Sequence, residues 1–145
     1  MSLEENKAIV RKMFEAFNTQ NLDALDELVA HGYFDHLRQL RGLESYKQNL
    51  SVFYRSFPDS HETIEEMIAE GDKVWVRIKG TGTHTAEYRG LSPTGRKTTW
   101  EAVSIWRIVD GKAVEMWAVA DELDFYKQLG VIEYKGFPDE VSQLL

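Results

Sequence analysis

The sequence predicts an α+β fold in which three helices precede a four-stranded antiparallel meander. Two observations predict it. Apolar residues recur at helical spacing as far as Pro58, and beyond Pro58 the period changes to the alternation of β-strands. No repeat, low-complexity tract or linker divides the 145 residues, so residues 1–145 are expected to form a single domain.

The N-terminal part contains three helix patterns. Ser2 and Glu5 have the spacing of a capping box, which predicts a first helix that ends at about residue 18. Asn21 is a typical N-cap for a short second helix. Residues 33–41 are polar and are expected to form a connection, after which a third helix runs as far as Pro58.

The C-terminal part alternates between apolar and polar residues. The predicted strands are residues 61–70, 73–85, 97–109 and 112–120. A two-residue turn at Gly71-Asp72 would place Glu66 opposite Arg77. Asp110-Gly111 is a strong hairpin signal and joins the last two strands. A short helix is expected over residues 122–129.

The Asp110-Gly111 turn also predicts a register for the last hairpin. A two-residue loop pairs Trp100 with Asp121 and Ser104 with Trp117, with all four side chains on one face. Small side chains between large aromatic ones would leave room for a pocket. The opposite face is also apolar, so a second copy of the chain is expected to cover it. A bulge in either strand would reverse this assignment.

Asp121 is the candidate for chemistry, because it follows an almost entirely apolar strand. A carboxylate beside Trp100 and away from water is costly to desolvate, takes up a proton easily and suits general acid/base catalysis. The alternative is that Asp121 only caps the helix that begins at Glu122.

Composition and charge argue against several classes of function. The net charge is −7 and the basic residues are scattered, which disfavours nucleic-acid binding. The absence of cysteine removes disulfides and thiolate chemistry, and the four histidines lack the spacing of metal ligands, so no metal site is expected. No segment has the pattern of a signal peptide or a membrane span, which predicts a cytoplasmic protein without membrane contact.

Several stretches together resemble the SnoaL-like polyketide cyclases, also called predicted ester cyclases. They are GTHTAEYRGLSPTGRKTTW (82–100), IWRIVDGKAVEMW (105–117) and ADELDFYKQLG (120–130). Towards the N-terminus, LDALDELVA (22–30) and Tyr33 followed by Asp35-His36 are similar as well. The resemblance covers roughly residues 4–130.

This resemblance implies an α+β-barrel cone, the fold of ketosteroid isomerase and nuclear transport factor two, with a curved antiparallel sheet around an internal apolar cavity. It also implies a homodimer through the outer sheet face and ring closure by intramolecular aldol condensation without metal or organic cofactor. A single Asp at the end of the last strand, here Asp121, would be the acid/base. The chain departs from the family at Met116, where many members have His, so any help from that His in proton transfer is missing here.

The preferred function is therefore a cofactor-independent cyclase- or isomerase-type enzyme for a small apolar carbonyl or polyketide-like compound, with Asp121 as catalytic residue. The predicted substrate contacts are Trp100, Trp117, His36, His84, Tyr33 and Ser104. Two alternatives remain: a dimer that binds a small molecule in the same cavity without catalysis, and hydrolysis of an epoxide or ester. Hydrolysis would need a second carboxylate or an Arg in the pocket, whereas Glu101 and Arg107 are expected on the face opposite Asp121.

Overall fold

The structure, a computed structural model, describes residues 1–133 and 135. The last part of the predicted 1–145 domain lies outside the described residues. The helices are α1 (Leu3–Asn18), α2 (Leu25–Leu28), α3 (Leu43–Ser56) and α4 (Glu122–Leu129), with a 3-10 turn at Leu22–Ala24. The strands are β1 (Val29–Asp35), β2 (Leu40–Arg41), β3 (His61–Glu70), β4 (Lys73–Thr83), β5 (Lys97–Val109) and β6 (Lys112–Ala120).

The predicted α+β class is confirmed, and local signals set the helix ends. Ser2 Oγ accepts a hydrogen bond from the Glu5 amide at 3.0 Å and begins α1. The side chain of Asn21 accepts from the Ala24 amide, but the turn that it caps is followed by only one turn of helix. Gly130 ends α4 at a φ of 77°, a left-handed conformation that glycine adopts without strain.

The sheet has six strands in the order β2-β1-β6-β5-β4-β3, and it curls without closing, since β2 and β3 do not pair within the described residues. The prediction of a polar connection over residues 33–41 is wrong, because β1 and β2 lie there. β1 runs parallel to β6. Its signal was hidden because the buried positions hold the polar groups of Tyr33 and Asp35, whereas the apolar Phe34 between them is only half-buried, so the strand shows no clear apolar alternation.

The two hairpins differ in how well their turns predict the pairing. In β3–β4, Glu66 pairs with Arg77 as predicted. In β5–β6, Val109 pairs with Lys112, but the register shifts between Arg107 and Ile108. The extra residue, Val114, is a bulge on β6, and every later pair moves by one.

The shifted register changes which side chains of β6 face the helices. Met116 and Ala118 lie on the concave face with Trp106 and Ser104, whereas Trp117 pairs with Ile105 on the outer face. The main core lies between the concave face and α1, where Val74, Val76 and Ile78 of β4 are buried against α1 side chains such as Val10 and Met13. No helix in the described part of the chain is both long and apolar enough to cross a membrane.

Candidate functional site

A pocket of about 590 Å³ opens between the concave face of the sheet and helices α1, α3 and α4. This volume falls within the range of small-molecule sites, roughly 300–1,000 Å³. Aromatic and aliphatic side chains cover most of the wall, and they include Phe14, Phe17, Phe53, Ile78, Tyr88, Trp100, Trp106 and Phe125. The lining also includes four charged residues, which are Arg38, Glu62, Arg89 and Glu122.

Trp100 lies at the centre of the aromatic wall. Its ring meets Phe53 of α3 edge to face at 5.6 Å between centroids, and it meets Phe125 of α4 at 5.8 Å. The indole Nε1 donates a hydrogen bond to Oε2 of Glu62 at 3.1 Å. Trp100 therefore contacts both the aromatic residues of the lining and one of its carboxyl groups.

Arg38 enters the pocket from the segment between β1 and β2. Asp35 at the end of β1 is fully buried, and its carboxylate accepts hydrogen bonds from the Arg38 amide at 2.9 Å and from Nη1 at 3.0 Å. The side chain of Arg38 remains 41% exposed, and the residue lines the pocket. A buried carboxylate thus holds a cation in place, and the rest of the guanidinium remains able to donate to a ligand.

Glu62 contributes a carboxyl group to the same pocket. Burial raises its pKa, while the hydrogen bond from Trp100 and the charge of Arg38 act in the opposite direction without cancelling the effect of burial. Its carboxylate is consequently a better proton acceptor than that of an exposed glutamate.

Two of the predicted substrate contacts, Trp100 and Ser104, line the pocket. Ser104 is buried, and its Oγ accepts a hydrogen bond from Trp106 Nε1 at 2.9 Å. Met116, where the family resemblance led us to expect His, also lines the pocket with an apolar side chain. Substrate binding by Trp100 and Ser104 stays a prediction.

Tyr33 and His84 do not line the pocket, because both side chains are fully buried behind its wall. Tyr33 packs on Tyr46 at 5.0 Å between ring centroids, and burial raises the pKa of its hydroxyl well above the ordinary value. His84 stacks on Phe57 at 5.4 Å, and its Nδ1 accepts a hydrogen bond from the Thr94 amide at 3.1 Å. Both side chains are thus packed in the interior, and substrate binding by Tyr33 and His84 stays a prediction.

His36 and Trp117 lie together, but on the outer face of the sheet. Their rings stack at 4.6 Å with an angle of 9° between the planes. Glu115 contacts both His36 Nε2, at 2.8 Å, and Arg107 Nε, and these two hydrogen bonds together with the charge of Arg107 hold the pKa of the Glu115 carboxyl below its usual range. The predicted pairing of Trp117 with Ser104 is wrong because the bulge at Val114 turns Trp117 outward.

The same bulge changes the position of Asp121. Its side chain is exposed, and Oδ1 accepts a hydrogen bond from the Asp124 amide at 3.1 Å, which caps α4. The expectation of a desolvated carboxylate paired with Trp100 is therefore wrong. Asp121 does share a second pocket of about 400 Å³ with Trp100, Lys79 and Glu101. Its role as acid/base stays a prediction.

Sequence reasoning missed Arg38 and Glu62. Arg38 stands in the segment that the sequence predicts to be a polar connection, and only its spacing to Asp35 hints at an ion pair. Regular pairing from the Gly71-Asp72 turn would make Glu62 face outward, on the same side as Glu66. The one sequence signal for an inward-facing Glu62 is the apolar residue Ile64, two positions later on the same strand face.

Comparison with known proteins agrees with this architecture. The family model of the SnoaL-like polyketide cyclase matches residues 7–129. The chain is 33% identical over 129 residues to the aklanonic acid methyl ester cyclase DauD of Streptomyces sp. (strain C5), covering 84% of this chain and 80% of DauD. It is equally similar, at 33% over 129 residues, to the aklanonic acid methyl ester cyclase DnrD of Streptomyces peucetius, covering 84% and 88% of the two chains.

Solved structures show the same fold. The crystal structure of AclR from Streptomyces galilaeus superimposes with a TM-score of 0.82 at 28% identity, and the match covers 91% of this chain and all of AclR. The agreement in sequence and in fold extends over most of the chain. The chain therefore belongs to the SnoaL-like polyketide cyclase family.

Proposed function

We propose that this protein closes a ring in a small, largely apolar carbonyl compound of the polyketide type by an intramolecular aldol reaction that requires no cofactor. The observation that carries the proposal is the pocket of about 590 Å³, whose lining combines aromatic side chains with a guanidinium held by Asp35 and a carboxyl group. The wall would hold the nucleophilic carbon near the target carbonyl, which supplies the orientation term of catalysis. Trp100 and Ser104 are the predicted contacts within this wall.

Arg38 is suited to stabilise the charge that develops during ring closure. An enolate forms first and an alkoxide forms after carbon–carbon bond formation, so negative charge gathers on oxygen in both steps. A guanidinium already held by Asp35 needs little rearrangement to donate to such an oxygen. The family resemblance makes Asp121 the predicted acid/base, but Asp121 caps α4 and lines the second pocket of about 400 Å³ rather than this one.

The first experiment is to incubate the protein with aklanonic acid methyl ester, the compound named for the relatives DauD and DnrD, and to separate the products by liquid chromatography with mass detection. Ring closure by aldol addition predicts a new compound of unchanged mass, formed equally well after treatment with EDTA. A product that forms only with added metal, or an unchanged ester after prolonged incubation, would contradict the proposal for this compound class.

Hydrolysis is a second candidate, because the pocket contains arginines as well as a carboxyl group. The sequence argued against hydrolysis because Arg107 and Glu101 were expected on the outer face, away from the pocket. In the structure, other residues supply these groups, since Arg38, Arg89 and Glu62 line the pocket. The same chromatographic experiment separates the two reactions, since hydrolysis of an epoxide adds the mass of one water and hydrolysis of an ester splits the compound. Tryptophan quenching by the ester without turnover would instead favour a binding protein.

We further propose a homodimer through the outer sheet face. One row of side chains across β3 to β6 is apolar throughout. The adjacent row is apolar on β5 and β6 and carries the ion pair of Glu66 with Arg77 on β3 and β4. The exposed apolar members of the two rows are Ile68, Trp75, Val103 and Val119. Charged pairs border these rows, among them Arg107 with Glu115 and Lys79 with Glu101. An apolar centre with a polar rim is the usual composition of an interface between subunits.

A further inference from the structure

Glu62, Gly80 and Trp100 form one row across the sheet. Backbone pairing sets Glu62 of β3 opposite Gly80 of β4, and Gly80 opposite Trp100 of β5. A Cβ atom at position 80 would lie 2.1 Å from Cε2 and Nε1 of Trp100, so the indole occupies the space that a side chain would take. Because Gly80 leaves that space open, the indole N–H reaches Glu62 and donates to Oε2 at 3.1 Å.

The backbone of Glu62 is fixed from the other side by α1. The side chain of Asn18 accepts a hydrogen bond from the Glu62 amide and donates one to its carbonyl oxygen, both at 2.8 Å. Backbone and side chain are therefore held by separate partners. Separate hydrogen bonds to the backbone and to the side chain restrict the position of the Glu62 carboxyl group, as a catalytic group requires.

One oxygen of the carboxyl group remains for a ligand. Oε2 is used by Trp100, whereas Oε1 makes no hydrogen bond with any part of the chain that the structure describes. Glu62 lines the pocket that also contains Arg38, Ser104 and the aromatic wall. A bound carbonyl compound would therefore meet a carboxyl oxygen and a guanidinium in one chamber.

We propose that Glu62 is the catalytic acid/base of this pocket and that Trp100 is its positioning residue. The inference rests on the ring closure proposed above. The Glu62 carboxylate accepts the proton from a carbon that lies between two carbonyl groups, and the C–H electron pair becomes the enolate. The enolate carbon forms the new bond to the target carbonyl carbon, whose oxygen becomes an alkoxide. Protonated Glu62 then returns its proton to that alkoxide, so the substrate and the product are isomers.

The electrostatic surroundings suit both halves of this cycle. Burial raises the pKa of Glu62, which makes its carboxylate a stronger base, while Arg38 and the Trp100 N–H keep the charged form accessible. The other titratable groups near it are Tyr46 and Tyr54 of α3, and burial raises the pKa of both hydroxyls, so they remain neutral. Arg89 and Glu122 line the same pocket, and α1 presents the uncharged Asn18.

The test separates proton abstraction from ring closure. The probe is methyl 2-methyl-3-oxo-3-phenylpropanoate, a β-keto ester with one exchangeable α proton, and proton NMR in D₂O follows its exchange above the buffer rate. Glu62→Gln keeps the shape of the side chain and is expected to lower enzyme-catalysed exchange by about 100-fold or more. Glu70→Gln, an exposed position on the same strand, is the matched control and should exchange like the wild type.

Two further variants extend the test. Trp100→Phe keeps an aromatic ring but removes the N–H. Because that hydrogen bond lowers the pKa of Glu62, its loss should shift the pH–rate profile of exchange to higher pH. Glu62→Asp draws the carboxyl back by one methylene and should slow exchange by about tenfold or more; it also serves if the Gln variant does not fold.

Unchanged exchange in both Glu62 variants would overturn the inference, as would wild-type exchange at the buffer rate. A loss of exchange in Asp121→Asn with retention in Glu62→Gln would overturn it too, in favour of Asp121. Ring closure of aklanonic acid methyl ester is measured on the same samples. If Glu62-dependent exchange is present while the ester stays open, the assignment of Glu62 is supported and the proposed reaction fails.

Discussion

Replacing Gly80 by alanine should destabilise the protein far more than an alanine in a strand normally does. The backbone at Gly80 has an ordinary φ, so alanine causes no backbone strain there. The new methyl group would instead lie 2.1 Å from two atoms of the Trp100 indole, well below any tolerable contact. The indole packs against Phe53, Phe57 and Phe125, so displacing it disrupts these aromatic contacts.

The magnitude follows from two losses. Forcing an extra methyl group into a packed region costs about 1–3 kcal/mol. Moving the indole also breaks its hydrogen bond to Glu62, which contributes about 1 kcal/mol or somewhat more. Gly80→Ala should therefore lower the free energy of unfolding by about 2–4 kcal/mol, which for a domain of this size lowers Tm by roughly 5–15 °C.

Urea denaturation measures this free energy, and a ¹H–¹⁵N spectrum shows the indole N–H of Trp100 directly. The matched control is Gly32→Ala in β1, where a new Cβ meets no atom within 4 Å and φ is ordinary. That variant should be neutral or more stable by a few tenths of a kcal/mol, up to about 1 kcal/mol. A loss below about 0.5 kcal/mol in Gly80→Ala, with an unmoved Trp100 signal, would refute the packing of the indole over Gly80.

Four further predictions test other parts of the structure. Val119→Glu places a charge at a side chain that is 78% exposed on the outer face and should convert the proposed dimer to monomer in sedimentation equilibrium; a monomeric wild type would count against the interface. Asp121→Ala should cost about 1 kcal/mol through loss of the α4 cap, whereas Asp121→Asn should be nearly neutral in urea denaturation; equal costs would rule out the cap as the cause. Arg38→Lys keeps a cation beside Asp35 but loses the planar donors, so kcat of ring closure should fall by at least about tenfold while thermal stability changes little; unchanged kcat would remove Arg38 from the mechanism. Burial raises the folded-state pKa of Glu62, so the native state holds its proton more tightly than the unfolded state does, and the protein loses stability as the pH rises from about 4.5 through that raised pKa. The side chain of Glu62→Gln does not titrate, so in urea unfolding this variant should become more stable relative to the wild type over this pH range. A constant difference between the two proteins would contradict the raised pKa.

The features that could be predicted from the sequence depend on neighbouring residues. Ser2 caps α1, Gly130 ends α4 and the Gly71-Asp72 turn sets the pairing of Glu66 with Arg77, because each of these signals acts within a few residues. β1 depends on distant contacts instead. Its parallel pairing with β6 joins segments about eighty residues apart, and a short strand with buried Tyr33 and Asp35 has little periodicity of its own.

The candidate site could not be predicted for a more specific reason, which is the presence of two single-residue bulges. The side-chain period of a strand is two, so one extra residue exchanges the two faces for every residue beyond it. The bulge at Val114 in β6 turns Trp117 to the outer face and takes Asp121 out of its predicted pairing with Trp100. The prediction was correct up to that bulge and wrong beyond it.

The second bulge lies in β3, an edge strand of the sheet, and acts in the opposite direction. Glu66 pairs with Arg77 on the outer face, and the register then shifts before Ile64, with Glu65 as the extra residue. Without that residue Glu62 would face outward, whereas with it Glu62 joins the inward row of Gly80 and Trp100. One bulge thus moves an expected carboxylate away from the pocket and the other brings an unexpected one into it. Deleting Glu65 should consequently turn Glu62 outward and abolish its hydrogen bond with Trp100. The deletion variant should then lose enzyme-catalysed α-proton exchange, as Glu62→Gln is expected to do, although Glu62 itself is unchanged.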